Sequence, residues 1–331
     1  GKGKGGRGGS GANSSLPTKV TTLEGHENTV SCMDVSEGRK QLFSGSSDGT
    51  IRMWSWEQNF SCIHVVHANA PVEAILVRDE WLFAGTSPAN GQQGIVRVWH
   101  MSSDFEQSLQ GHQGAIYCLA QNEAYLFSAG DDFGIKTWNF NAEHNKFEPL
   151  ANLQGHDAPV QVLKVAGGSL LSADRAGAVI MWDLQTGVPS GRIQTNHSKM
   201  LMALWLEDNY LFTAALDGHV KVWDSSGSLQ YDHTVLNRNN QPSGITALAV
   251  VSDAAANGDP NTPGESVLVT ACDDQALKMW RVPEFAKRGI IAERLGHHDV
   301  VRCLAKGPGN SFFSGSMDHK IMVWEFYAGS N

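Results

Sequence analysis

Three stretches of this chain repeat one thirteen-residue pattern: "LFSGSSDGTIRMW" (Leu42 to Trp54), "LFSAGDDFGIKTW" (Leu126 to Trp138) and "FFSGSMDHKIMVW" (Phe312 to Trp324). Such self-similarity restricts the fold more than any single motif, because each copy is one structural unit and neighbouring units must bury one another. Alignment on the closing tryptophan gives Trp54, Trp99, Trp138, Trp182, Trp223, Trp280 and Trp324, at intervals of 45, 39, 44, 41, 57 and 44 residues. Ten residues before the tryptophan a hydroxyl recurs, at Ser44, Ser128, Ser172, Thr213, Thr270 and Ser314. Six residues before it stand Asp48, Asp132, Asp217, Asp274 and Asp318. A Gly-His or its remnant lies upstream at Gly25-His26, Gly111-His112, Gly155-His156, Asn196-His197 and Gly296-His297.

Between these marks short apolar runs alternate with Gly, Asp, Asn and Pro, the signature of strands and turns, and no segment sustains a helical period. Units of roughly 40–45 residues with room for four strands match the blades of a propeller. The expected fold is therefore all-β: a seven-bladed β-propeller. Hydrophobic residues make up 41% of the 331, enough for a large core. No run approaches the roughly 20 apolar residues of a membrane helix. The net charge is −9, and Lys2, Lys4 and Arg7 all lie in the first ten residues, leaving 22 basic against 34 acidic residues elsewhere. An acidic body argues against a broad grip on nucleic-acid backbone. Cys32, Cys118 and Cys303 share one register of apolar strands, so they read as small core residues rather than disulfide partners, which favours a reducing, intracellular compartment, cytoplasm or nucleus.

The units resemble WD repeats, and "MWD" (Met181 to Asp183) and "VWD" (Val222 to Asp224) keep the namesake dipeptide. The resemblance covers Lys19 to Trp324. It implies that in each blade a turn Asp bonds the His, the His bonds the Ser or Thr, and that hydroxyl meets the Trp N–H. Full tetrads are expected in unit one (His26, Ser44, Asp48, Trp54), unit three (His112, Ser128, Asp132, Trp138), unit five (His197, Thr213, Asp217, Trp223) and unit seven (His297, Ser314, Asp318, Trp324). Unit four has Ala176 where the Asp belongs, unit six lacks the His, and unit two carries an inserted "SPANGQQG"; these three blades are expected to be the softer ones. "KVTTLEG" (Lys19 to Gly25) has the pattern of an outer strand without a blade of its own and is expected to complete blade seven, closing the ring. The organisation expected is a flexible Gly/Lys/Arg-rich tail or linker over 1–17, the propeller over 18–327 and a C-terminal tail over 328–331.

Motifs that could carry chemistry have simpler readings here. G-x-G-x-x-G at Gly3, Gly5 and Gly8 lies in low-complexity sequence, not between a strand and a helix. G-x-S-x-G around Ser47 falls in a strand-to-strand turn, not at a nucleophile elbow. Cys62, His64 and His67 would need a bend and a fourth ligand to hold zinc, since His67 points away from the other two along a strand. No catalytic residue, metal or cofactor is assigned, and the chain reads as a non-enzyme. In WD-repeat propellers the narrow top face around the channel is the usual docking site. Carried over by resemblance, its side chains are Ser31, Glu73, Tyr117, Gln161, Met202, Thr246 and Arg302, with Met200 and Val300 close by. The residues before the turn Asp add Ser47, Asp131, Arg175, Leu216, Asp273 and Met317. The insertion from Ser252 to Glu265 reads as disordered or as a partner contact.

A second resemblance is carried by Asn145 to Leu184, "VPEFAKRGII" (Val282 to Ile291) and "KGPGNSFFSG" (Lys306 to Gly315), which look like the propeller of plant and algal proteins joining a CCCH zinc finger to WD repeats. In that family the finger precedes the propeller and is taken to contact RNA. No C-x-C-x-C-x-H cluster occurs in this chain, so the finger is expected to be absent or upstream of Gly1. The tail would then be the linker to it, adding a weak, salt-dependent RNA contact. The resemblance implies a scaffold, monomeric within a larger RNA-associated assembly, that docks proteins or peptides and no membrane. The alternative is a substrate receptor of a ubiquitin ligase, since similar propellers terminate ligase subunits.

Overall fold

A computed structural model describes residues 16–89, 93–253 and 264–326. The tail with its Gly3, Gly5 and Gly8 motif, residues 90–92 of the "SPANGQQG" insertion, the middle of the Ser252–Glu265 insertion and the 328–331 tail lie outside the described residues. The described strands form seven four-stranded antiparallel sheets. Six are built from consecutive strands, spanning 30–67, 72–109, 116–153, 160–194, 201–234 and 245–291. The seventh combines three strands within 301–325 with Thr18–Leu23, which pairs with Ile321–Glu325 as expected. Lys19 faces Trp324 and Leu23 faces Ile321, so the beginning of the fold supplies the outer strand of its last blade.

Burial follows position within the blade. The second strand is buried on both faces because it is sandwiched between neighbouring sheets: Gln41–Ser46, Trp81–Thr86, Tyr125–Gly130 and Ser311–Ser316 are buried almost throughout. This explains why the repeated stretch opens with consecutive apolar residues rather than alternating ones. The outermost strands, such as Ser61–His67 and Pro189–Gln194, are largely exposed. Where the blades converge on the axis only small residues fit. A Cβ on Gly45 would meet Val72 Cγ1 of the next blade at 2.6 Å, and within blade three one on Gly130 would lie 1.9 Å from the Ala115 carbonyl oxygen.

The core is divided among the seams between blades. At one, Phe83 and Val98 of blade two pack with Leu126 and Trp138 of blade three; at the closing seam, Leu42 and Trp54 of blade one pack with Phe313, Val323 and Leu23. Leu16 reaches the seam between blades six and seven. Thiols and hydroxyls bridge the seams as well: Cys118 Sγ donates to Val160 O at 3.7 Å, Cys303 Sγ to Val30 O at 3.5 Å and Thr246 Oγ1 to Val301 O at 2.5 Å. Cys118, Cys272 and Cys303 are buried, and burial pushes the last two thiols up to about 12. Cys62 is exposed, and no disulfide forms among the described residues.

Candidate functional site

The polar network that braces each blade comes first, because it fixes the turns that carry the site. In blade one His26 Nδ1 lies 3.0 Å from Asp48, His26 Nε2 2.8 Å from Ser44 Oγ, and Trp54 Nε1 2.9 Å from the same hydroxyl. An indole N–H can only donate. The hydroxyl therefore accepts it and gives its own proton to Nε2, leaving Nδ1–H for the carboxylate. Blade three repeats this through His112, Asp132, Ser128 and Trp138, blade five through His197, Asp217, Thr213 and Trp223, and blade seven through His297, Asp318, Ser314 and Trp324, every link between 2.7 and 3.2 Å. Burial opposes ionisation of Asp217, but the His197 bond and the backbone N–H groups of His219 and Ser198 outweigh it and lower its pKa to about 2; Asp318 is held at about 2 in the same way by His297.

Blade four departs from expectation. His156 bonds Ser172 at 2.6 Å and Trp182 donates to Ser172 at 2.8 Å, while the carboxylate comes from Asp174, 2.8 Å from His156 Nδ1. The network is complete, so the missing aspartate inferred from Ala176 is supplied after all. The reason is geometric. Asp174 ends the second strand, and its other oxygen accepts the Ala178 N–H at 2.9 Å, so it reaches inward from two residues earlier in the chain. A triplet "SAD" beside an intact His and Ser was the available signal. Blade two drops the polar partners together, with Ala68 and Ala84 buried in place of the imidazole and hydroxyl. Blade six keeps Thr270, Asp274 and Trp280 but has Lys278 Nζ on Asp274 at 2.7 Å in place of an imidazole, and Trp280 Nε1 stands off at 3.4 Å from Thr270 Oγ1.

The inner strand of every blade contains one bulge, between Val30 and Cys32, Val72 and Ala74, Ile116 and Cys118, Val160 and Val162, Leu201 and Ala203, Ile245 and Ala247, and Val301 and Cys303. The extra residue in each is Ser31, Glu73, Tyr117, Gln161, Met202, Thr246 and Arg302. A bulged residue has no partner across the ladder, and its side chain is re-aimed. All seven line one cavity of about 530 Å³ at the channel, together with Arg175, Met200 and Leu216. The turns gather at the same end: the N–H of Asp131 donates to Ala115 O, Arg175 to Pro159 O, Leu216 to Met200 O, Asp273 to Gly244 O and Met317 to Val300 O, at 2.8–3.0 Å.

These residues are not equivalent. Thr246 is buried and its hydroxyl is held by Ala271 O and Val301 O, while the Ser31 hydroxyl is held by Val72 O; both are ties between blades. Glu73 accepts from Ser87 Oγ at 2.7 Å. The Arg175 guanidinium lies 4.1 Å from the Tyr117 ring and bonds Gln161 at 2.9 Å. Burial raises the Tyr117 pKa, and its hydroxyl's bond to Asp131 raises it further. Asp131, Tyr117, Arg175 and Gln161 thus form a fixed polar ridge over blades three and four. Asp273 accepts from Ser243 at 3.2 Å, and Asp273, Arg302 and Met317 are exposed. Asp131, Asp273, Val300 and Met317 do not line the channel cavity but flank it. The arrangement offers contact surface.

Of the remaining motifs, Cys62, His64 and His67 lie on an exposed outer strand, and among the described residues no group of three or more His, Cys, Asp or Glu converges on a metal position. Among the described residues no helix is long and apolar enough to cross a membrane.

A family model described as "WD domain, G-beta repeat" matches residues 17–55, 103–139, 191–224 and 290–325. These segments carry the four tetrads whose aspartate sits in the turn. The chain is 32% identical over 311 residues to the "Zinc finger CCCH domain-containing protein 17" of Oryza sativa subsp. japonica, and 30% identical over 322 residues to the "Zinc finger CCCH domain-containing protein 63" of Arabidopsis thaliana; each match covers 93% of this chain and 66% of the relative. It is also 23% identical over 337 residues to the "Nuclear distribution protein nudF" of Aspergillus niger, covering 95% of this chain and 63% of that protein.

Proposed function

The chain belongs to the WD-repeat β-propeller family, and from that premise we propose that it is a non-catalytic scaffold whose channel mouth docks a protein or peptide partner within an RNA-associated assembly. The observation that carries this reading is the ring of seven bulged residues: one from each blade, all lining a single cavity at the channel. Their chemistry suits docking. Met200, Met202 and Met317 adapt to an apolar partner, Tyr117 and Arg175 give a rigid amphipathic ridge, and Arg302 is an exposed cation that no hydrogen bond or ion pair holds among the described residues. The RNA-associated setting is supported by the similarity to proteins named for CCCH zinc fingers over 93% of this chain.

The test is crosslinking and mass spectrometry from cells, with and without RNase, on the native chain and a Tyr117→Ala/Arg302→Ala variant. Partners that survive RNase and are lost from the variant, at an unchanged melting curve, support docking at the mouth. Undiminished capture by the variant overturns it. Loss of every partner on RNase treatment would make RNA the tether instead.

A further inference from the structure

In blade six, where Lys278 takes the place of the tetrad imidazole, a cavity opens beside the lysine. It measures about 810 Å³, within the roughly 300–1,000 Å³ of small-ligand pockets, and lies between blades five and six, sharing no lining residue with the channel cavity. The connection into that blade has its own form. Six residues (24–29, 110–115, 154–159 and 195–200) lead into blades one, three, four and five and lay a Gly-His or Asn-His over the sheet. Ten residues (235–244) lead into blade six. They fold upon themselves, with Leu236 bridging Pro242 and the Asn237 N–H donating to Gln241 O at 2.8 Å. The loop is thereby held as one wall of the cavity, through Leu236 and Asn237 to Asn240.

What faces this space is polar and incompletely paired. Lys278 is 2% exposed, and among the described residues its ammonium has one side-chain partner, Asp274 at 2.7 Å, leaving donors unused. His233, from the outer strand of blade five, packs edge-on to Trp280 with ring centroids 4.3 Å apart, and its Nε2 is buried with no hydrogen-bond partner. Burial lowers the His233 pKa, so the ring is neutral near pH 7 and has one hydrogen bond to offer there. At the rim Lys287 and Arg238 carry no ion pair among the described residues, whereas Glu293 lies 3.9 Å from His298. Trp280 and Ile290 supply apolar wall. With Arg238, Lys278 and Lys287 against Asp274 and Glu293 the lining is net basic, whereas the chain as a whole carries −9.

We propose that this cavity is a second binding site, for a short acidic peptide segment whose carboxylate lies between Lys278 and Lys287 while a neighbouring aliphatic side chain covers Trp280. The carboxylate takes the donors that Asp274 leaves free, and His233 Nε2 meets the peptide's backbone. Such a site would let the scaffold hold one chain at its mouth and another on its flank.

The test uses the full chain labelled with 5-fluorotryptophan, its Trp280 signal assigned through Trp280→Phe and followed by 19F NMR. The titrants are Ac-Leu-Glu-Leu-NH2, Ac-Leu-Gln-Leu-NH2 and inorganic phosphate. A saturable shift of the Trp280 signal with the glutamate peptide is expected, at least tenfold weaker with the glutamine peptide and with phosphate. Lys287→Glu, on the exposed rim, should weaken the glutamate peptide at least tenfold. Lys278→Met combined with Asp274→Leu, which removes the buried pair without orphaning either charge, should abolish the shift. Equal response to the glutamate and glutamine peptides, phosphate binding as tight as the peptide, or insensitivity to Lys287→Glu would each overturn the proposal. If the double variant does not fold, Lys287→Glu alone decides.

Discussion

At the scale of the residue, the blades show that position in space matters more than position in the repeat. Asp174 does for blade four what Asp132 does for blade three, from a different place in the chain. Because His156 and Asp174 are both buried, removing the carboxylate leaves an imidazole N–H without a partner, at a cost of about 1–3 kcal/mol. Asp174→Ala should therefore lower stability about as much as Asp132→Ala. Ala176→Asp should change it by no more than about 0.5 kcal/mol, since Ala176 is exposed and the network is already complete. Urea midpoints of the three variants check this, and an unchanged midpoint for Asp174→Ala would take that carboxylate out of the network.

At the scale of the element, the second strand of each blade is governed by the space between its neighbours. Gly130 sits against the entry to the inner strand of its own blade, and a methyl group there would overlap the Ala115–Ile116 backbone rather than a movable side chain. Gly130→Ala should cost about 1–3 kcal/mol or more, whereas Gly168→Ala, in an open turn with nothing within 4 Å of the new Cβ, should be close to neutral; paired thermal melts decide between them. Much at this scale was legible in the sequence. The small residues "SG", "AG" and "SA" after the apolar pair, the closing Trp and the His-hydroxyl spacing mark the middle hairpin, because each is demanded by a contact every blade must make. The bulges were not legible: two residues opposing one is a property of the pairing with the next strand. Resemblance still pointed to the bulged residues, yet it could not separate Ser31 and Thr246, whose hydroxyls tie blades together, from Arg302, which faces outward. Nor could it show that Lys278 would replace a histidine or that a self-bridged connection would line a cavity beside it.

At the scale of the whole molecule, the ring depends on a contact between residues some three hundred positions apart. Thr18–Leu23 is the outer strand of blade seven, and Leu23 is buried against Phe313 and Val323 in the seam with blade one. Without it Ile321–Glu325 would present a bare row of N–H and C=O groups, the template on which a second chain adds a strand. It would also uncover Trp324, whose indole is 2% exposed in the closed ring. A variant lacking residues 1–23 should accordingly melt at a lower temperature and self-associate as concentration rises. A synthetic peptide covering Pro17 to Gly25, added in trans, should restore part of the melting temperature by refilling the edge. Differential scanning fluorimetry and analytical ultracentrifugation read the two effects separately. A truncated chain that stays monomeric and melts where the intact one does would mean that the other twenty-seven strands hold the ring shut unaided.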